Sequence, residues 1–176
     1  MIEIEATILG SGSSGGVPRL GGPDGAGAWG DCDPKNPKNR RRRCSLLVRR
    51  AATTVLIDTS PDLREQLLDS RVRHIDGVLM THPHADQTNG IDDLRVLCQV
   101  MGRRIDLHAD KATLAHLMRQ FGYCFATPEG SMDPQEQIDR MIEIVPADTG
   151  TFRNVVPKVI EDMLKRHQVE AWSASI

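Results

Sequence analysis

The chain has 176 residues, a length that suits one domain and can bury a sizeable core. Its formal charge of −2 argues against polyanion binding by net field, and its 3% aromatic content argues against a base-stacking platform for nucleic acid. No apolar run approaches the ~20 residues that cross a bilayer, and a start carrying Glu3 and Glu5 does not read as a signal peptide.

Ile2, Ile4, Ala6 and Ile8 alternate with Glu3, Glu5 and Thr7, which predicts a half-buried strand. The loop Gly10 to Gly16 follows. It either wraps a phosphate with backbone amides or makes a tight turn. It lacks the Gly-Lys-Ser/Thr of a P-loop and is no dinucleotide fingerprint. Residues 19–43 are rich in Gly, Pro and Asn and show no periodicity, and a loop of that length is usually functional or mobile. It ends in Arg40-Arg41-Arg42-Arg43, which reads as a solvated basic run, as a nucleic-acid patch, or as arginines reaching a substrate phosphate. Arg42 and Arg43 are the candidates for that last role, because the guanidinium fork matches phosphate. Cys32, Cys44, Cys98 and Cys124 lack Cys-x-x-Cys spacing, so reduced thiols and a cytoplasmic setting are expected.

Cys44–Val48 and Thr53–Ile57 predict a hairpin closed by Asp58. Ser60 is expected to cap a helix with Pro61 in its first position and Leu63, Leu67 and Leu68 as its buried stripe. The apolar run Ile75–Leu79 predicts a buried strand leading into Met-Thr-His-Pro-His-Ala-Asp-Gln-Thr-Asn-Gly at Met80–Gly90. His82, His84 and Asp86 alternate, and such residues on extended or tightly turned backbone share one side. Imidazole nitrogen and carboxylate oxygen hold Zn2+ or Mn2+ while leaving positions open for water. The plain alternative is a polar loop with two solvated histidines.

Leu94, Leu97, Val100 and Met101 have helical spacing, and Asp92, Asp93 and Arg95 before them either orient ligands or solvate the helix start. Ile105–Ala109 reads as a strand in which His108 is structural. Asp110 caps a helix ending near Phe121, with His116 on its surface or in its core. A helix starting at Asp133-Pro134, a strand Met141–Val145, a helix Val155–His167 and a strand Val169–Ala174 complete the expectations.

Thr81-His82-Pro83-His84-Ala85-Asp86-Gln87 resembles the His-x-His-x-Asp-His signature of the metallo-β-lactamase superfamily. With Gly10–Pro18, Asp58-Thr59-Ser60-Pro61-Asp62 and Gly90-Ile91-Asp92-Asp93-Leu94-Arg95, the chain resembles the PhnP-like branch, which contains phosphoribosyl cyclic phosphodiesterases. The likeness spans roughly residues 1–130. It implies an α/β fold, a four-layer αββα sandwich abbreviated in its C-terminal half, within a single domain over residues 1–176.

The resemblance also implies roles. His82 and His84 would ligate one metal and Asp86 another, with Asp86 able to take the proton of the attacking water. Gln87 stands where the signature has its last histidine and would offer a weaker amide oxygen. Asp148, within Pro146–Gly150, resembles the turn that supplies a carboxylate bridging two metals. Asp58 would steady a metal-bound histidine from behind. The cysteine cluster that holds a structural zinc in some relatives is reduced here to Cys32, and the two later histidines of a full dinuclear site have no counterpart.

The function so implied is metal-dependent hydrolysis of a small cyclic or nucleotide-like phosphodiester, with one or two Zn2+ or Mn2+ ions per chain. The alternative is a catalytically inactive relative that binds a nucleotide or a partner. An abbreviated second sheet would leave apolar surface uncovered, so a homo-oligomer is expected.

Overall fold

A computed structural model of the chain describes residues 4–125 and the strand at 142–146. Six strands form one mixed sheet in sequence order, β1 (Ile4–Gly10), β2 (Ser45–Arg50), β3 (Thr53–Ile57), β4 (Gly77–Leu79), β5 (Ile105–Ala109) and β6 (Ile142–Pro146). β1, β2 and β3 pair antiparallel, and β3 to β6 run parallel. The parallel strands are joined through α1 (Leu63–Asp69) before β4, then α2 (Ala85–Thr88) and α3 (Leu94–Met101) before β5, then α4 (Lys111–Phe121). Long connections of this kind are what parallel pairing requires.

The core lies on one face of the sheet. Leu47, Leu56, Val78, Ile105 and Leu107 project there and meet Leu63 of α1, Ile91, Leu94 and Cys98 around α3, and Leu117 of α4, all 0% exposed. Burial pushes the thiols of Cys98 and Cys124 up to about 11, so both are neutral core groups rather than nucleophiles. Asp110 caps α4, its carboxylate accepting from the Ala112 and Thr113 amides at 2.8 and 3.1 Å, as its position before the helix led one to expect.

Three expectations about facing are corrected. The isoleucine face of β1 is not the buried one: Ile4 is 39% and Ile8 71% exposed, because the described helices pack on the opposite face of this edge strand. In α1 the stripe is Leu63, Gln66 and Leu67, while Leu68 is 57% exposed. Gln66 takes the inward slot because its amide donates to the Arg43 carbonyl at 2.8 Å and accepts from Ser60 Oγ at 3.0 Å. Ser60 thus bonds at the helix entrance, accepting also from the Asp62 amide at 3.2 Å, but the N-cap position falls on Asp62, after Pro61. In α3 Val100 faces outward at 74% exposure and Cys98 fills the buried stripe beside Leu94.

The long loop is well organised. Backbone bonds tie Val17 to Arg41, Arg19 to Ala28 and Gly12 to Arg42 at 2.7–3.0 Å. The expected second sheet of a sandwich is not represented among the described residues. Asp148, the Asp133-Pro134 helix start and the segments 155–167 and 169–174 lie outside them. No helix among the described residues is long and apolar enough to cross a membrane.

Candidate metal centre

Parallel strands deliver their following loops to one edge, and in open α/β sheets that edge is where ligands bind. β3 ends at Ile57 beside Leu79 at the end of β4. The Asp58–Ser60 turn and the Met80–His84 segment therefore run side by side. Asp58 N donates to Leu79 O at 2.9 Å, Thr59 N to Gln87 O at 2.7 Å, and Gly90 N to Thr59 O at 2.9 Å. These bonds clamp the whole stretch from His82 to Gly90 onto the turn after β3.

The two histidines converge as their spacing suggests. His82 Nε2 stands 3.2 Å from His84 Nδ1, with the rings edge-on at 76° and centroids 4.6 Å apart. Two nitrogens each roughly 2.0–2.1 Å from a tetrahedral ion are about 3.3 Å apart. The observed separation is that of two donors on one cation, or of an N–H···N hydrogen bond.

Asp58 does not touch a histidine. Its two oxygens accept from the Thr81 amide and the Thr81 hydroxyl, both at 2.7 Å, and the hydroxyl oxygen lies 2.8 Å from His82 Nδ1. A carboxylate only accepts, so the hydroxyl proton points at Asp58 and the hydroxyl oxygen accepts from Nδ1–H of His82. That places the ring's lone pair on Nε2, the atom facing His84. Asp58 sits at φ +61°, a left-handed conformation that Asp tolerates better than most residues. Burial pushes its carboxyl above the ordinary range, outweighing the Thr81 hydrogen bonds that pull it down. Thr81 went unnoticed in the sequence, where the available signal was a hydroxyl residue directly before the first histidine.

The other candidates are placed less closely. Asp86 lies on α2, and among the described residues no group of three or more His, Cys, Asp and Glu side chains stands close enough to hold a metal. Gln87 is buried at 7% exposure, and its side-chain oxygen has no hydrogen-bond partner among the described residues. A buried carbonyl oxygen left unbonded costs about 1–3 kcal/mol, and a cation is one group that would satisfy it. The residues present therefore fit a divalent ion in two respects, a pair of imidazole nitrogens at ligand spacing and an orphaned buried oxygen on the helix that follows them. Asp92 pairs with Arg95 at 3.1 Å at the start of α3. His116 shares a cavity wall with Pro83 and His84.

Arg42 and Arg43, the phosphate-binding candidates, are both paired with carboxylates. Arg43 grips Asp62 through Nη2 and Nε at 2.6 and 2.9 Å, and Arg42 pairs with Asp69 at 2.7 Å. The Asp62 hydrogen bond holds the Arg43 guanidinium above its ordinary range, with Asp86 adding a smaller attraction. Both forks are already engaged by carboxylates some 19 to 27 residues away in sequence, which the basic run itself does not reveal.

Comparison with known proteins agrees with this geometry. Residues 53–167 match the family described as the beta-lactamase superfamily domain. The chain is 36% identical over 119 residues to an octanoyltransferase of Porphyromonas gingivalis, covering 67% of this chain and 23% of that protein. Among solved structures it is similar to a diphosphatase from the PhnP family, with 34% identity, a TM-score of 0.66, and 83% of this chain and 51% of that one covered. Zn2+-bound PqqB from Methylobacterium extorquens superposes with a TM-score of 0.54 at 19% identity, over 85% of this chain and 48% of that one, a likeness of fold. The chain thus spans about a quarter of the curated relative and half of the PhnP-family structure. From the matched family, the shared fold and the His82–His84 stretch together, the chain belongs to the metallo-β-lactamase superfamily as a PhnP-like member.

Proposed function

We propose that this chain carries the first half of the metal site of a phosphoester hydrolase acting on a small phosphodiester or diphosphate. The observation that carries the reading is the 3.2 Å approach of His82 Nε2 to His84 Nδ1, with Asp58 and Thr81 setting the His82 tautomer. The PhnP-family diphosphatase, similar at 34% identity, supports the reaction class. The octanoyltransferase likeness covers 23% of that protein, so its named activity is not carried over.

His82 and His84 would hold the first ion, with the Gln87 oxygen and Asp86 beside it. A divalent cation in such a site acidifies water and neutralises charge on phosphoryl oxygens. Thr81 and Asp58 keep His82 oriented and its Nε2 unprotonated, so the ring binds without first losing a proton. Asp86, two residues past His84 and half-buried in the first turn of α2, would accept the proton released as water attacks phosphorus. Zn2+ and Mn2+ both suit a mixed nitrogen and oxygen donor set.

Metal per chain and hydrolysis of bis(p-nitrophenyl) phosphate test the reading together. His82→Ala and His84→Ala should each lower both, since a chelating set loses affinity with every donor removed. Unchanged occupancy in both variants would overturn the centre. A metal-free, inert protein that still binds nucleotide would favour the inactive binding module instead.

A further inference from the structure

A cleft of about 1210 Å3 opens between the glycine-rich loop and the arginine run. Arg19, Lys38, Arg40, Arg41, Arg42 and Arg43 line it, against a single carboxylate, Asp62. Arg43 occupies both oxygens of Asp62, and Asp69 takes Arg42. Arg19, Lys38, Arg40 and Arg41 are left without a carboxylate among the described residues. Arg41 Nη1 reaches only the Ser11 hydroxyl at 3.3 Å, and Arg40 lies over the Trp29 ring at 5.2 Å. Four cations around one concavity, in a chain of net charge −2, concentrate positive charge at this place.

The walls are rigid for a reason visible in the glycines. A Cβ on Gly12 would stand 2.8 Å from the carbonyls of Arg41 and Arg42, and one on Gly10 would stand 2.0 Å from that of Arg43. Glycine lets the loop lie directly on the arginine segment, where Gly12 N bonds Arg42 O at 2.7 Å and Val17 and Arg41 exchange two bonds of 2.9 Å. The arginine backbones are thereby fixed while their side chains face the cleft. Ser14 and Gly15, on the same wall, have backbone N–H groups that no described residue takes up.

We propose that this cleft is an anion site for a phosphate or diphosphate group, gripped by Arg19 and Arg41 with Arg40 and Lys38 at its rim. It is separate from the histidine pair and does not depend on a metal there. Guanidinium forks and free amides are the donors phosphate oxygens take, and four cations match an anion of more than one charge. The ion pair of Arg43 with Asp62 forms part of one wall of this cleft.

Calorimetric titration of the chelator-treated full chain with inorganic phosphate, inorganic diphosphate and adenosine diphosphate tests it. Diphosphate is expected to bind more tightly than phosphate and to weaken with added salt. Arg19→Gln and Arg41→Gln should each weaken it about ten- to a hundredfold. His82→Ala, and Arg73→Gln at the other end of the sheet, should leave it unchanged. Adenosine diphosphate binding at least as well as diphosphate identifies the tail of an organic ligand, and its exclusion identifies the free anion; both support the site. Wild-type affinity in the two arginine variants, with unchanged thermal midpoints, would overturn it. So would a single-stranded oligonucleotide that binds and that diphosphate fails to displace, which would make the cleft a nucleic-acid surface.

Discussion

The hydroxyl of Thr81 lies 2.8 Å from Nδ1 of His82, and that contact is the link between a buried carboxylate and the candidate metal pair. Asp58 stands behind Thr81, not behind the histidine, so its influence on the ring passes through one hydroxyl group. A carboxylate bonded directly to imidazole would draw the Nδ1 proton toward itself. Thr81 fixes the same tautomer with a neutral acceptor.

Thr81→Val should break this relay while leaving the backbone bond from Thr81 N to Asp58 in place. Losing an outer partner of this kind typically costs ten- to a hundredfold in metal affinity. Thr81→Ser should restore most of it. A metal titration in which Val and Ser variants match the parent would show that His82 needs no orienting partner.

Gln87 offers a contrasting test. Its buried oxygen has no partner among the described residues, so the position tolerates a better donor. Gln87→His should tighten metal binding and raise phosphodiester hydrolysis if the side chain faces the site. No change in metal stoichiometry or rate would place Gln87 in the packing alone.

The Arg43–Asp62 pair gives an acid dependence with a definite sign. The guanidinium hydrogen bond holds the Asp62 carboxyl below its ordinary value of 3.8. A carboxylate lowered in the folded state contributes stability that is present in full above its unfolded pKa and is lost as pH falls through the folded one. Urea midpoints of the parent should therefore drop on acidification from about pH 4 downward. Asp62→Asn should be less stable at neutral pH and show a shallower decline in that window. Parallel curves would remove Asp62 from the acid response.

α1 tests the corrected helix face. Leu67 is 7% and Leu68 57% exposed. Leu67→Ala should cost about 2–5 kcal/mol, as large-to-small core changes do. Leu68→Ala should stay within about 0.5 kcal/mol. Equal losses by chemical denaturation would mean that the Leu68 side chain is covered after all.

What could be read from the chain divides by the range of the interactions. The alternation of His82 and His84, the Asp110 cap and the runs that became β2 to β5 are local, and local spacing states them directly. Facing was harder. Leu68 loses the buried slot to Gln66 because Gln66 reaches the Arg43 carbonyl, a contact 23 residues distant. Ile4 and Ile8 alternate as a half-buried strand should, yet alternation does not say which face the helices cover. Arg42 and Arg43 read as open forks because Asp69 and Asp62, which close them, lie in another element. Thr81 was invisible as a functional residue for the same reason, since its meaning depends on Asp58 across the neighbouring strand end.

Gly90 is the position where fold and site are held by the same atoms. Its φ is −91°, which any residue can adopt, so backbone freedom is not what it supplies. It supplies space: a Cβ there would stand 2.0 Å from the Ser60 carbonyl oxygen and 2.8 Å from Leu63 Cβ. The first of these is backbone and cannot swing away. Gly90→Ala must therefore push the segment after α2 off the turn after β3, stretching the 2.9 Å bond from Gly90 N to Thr59 O and disturbing the adjoining Thr59–Gln87 bond. Both bonds anchor the stretch that carries His82 and His84, so the variant should lose metal affinity as well as stability, the latter by about 1–3 kcal/mol as overpacking does. Gly122 is the matched control. Its added Cβ meets nothing within 4 Å and its φ of −51° is helical, so Gly122→Ala should be neutral or stabilise by up to about 1 kcal/mol. Thermal and urea unfolding of the two variants, with metal content measured on each, separates the cases. A Gly90→Ala protein as stable and as metal-loaded as its parent would show that the turn after β3 does not hold the histidine stretch in place.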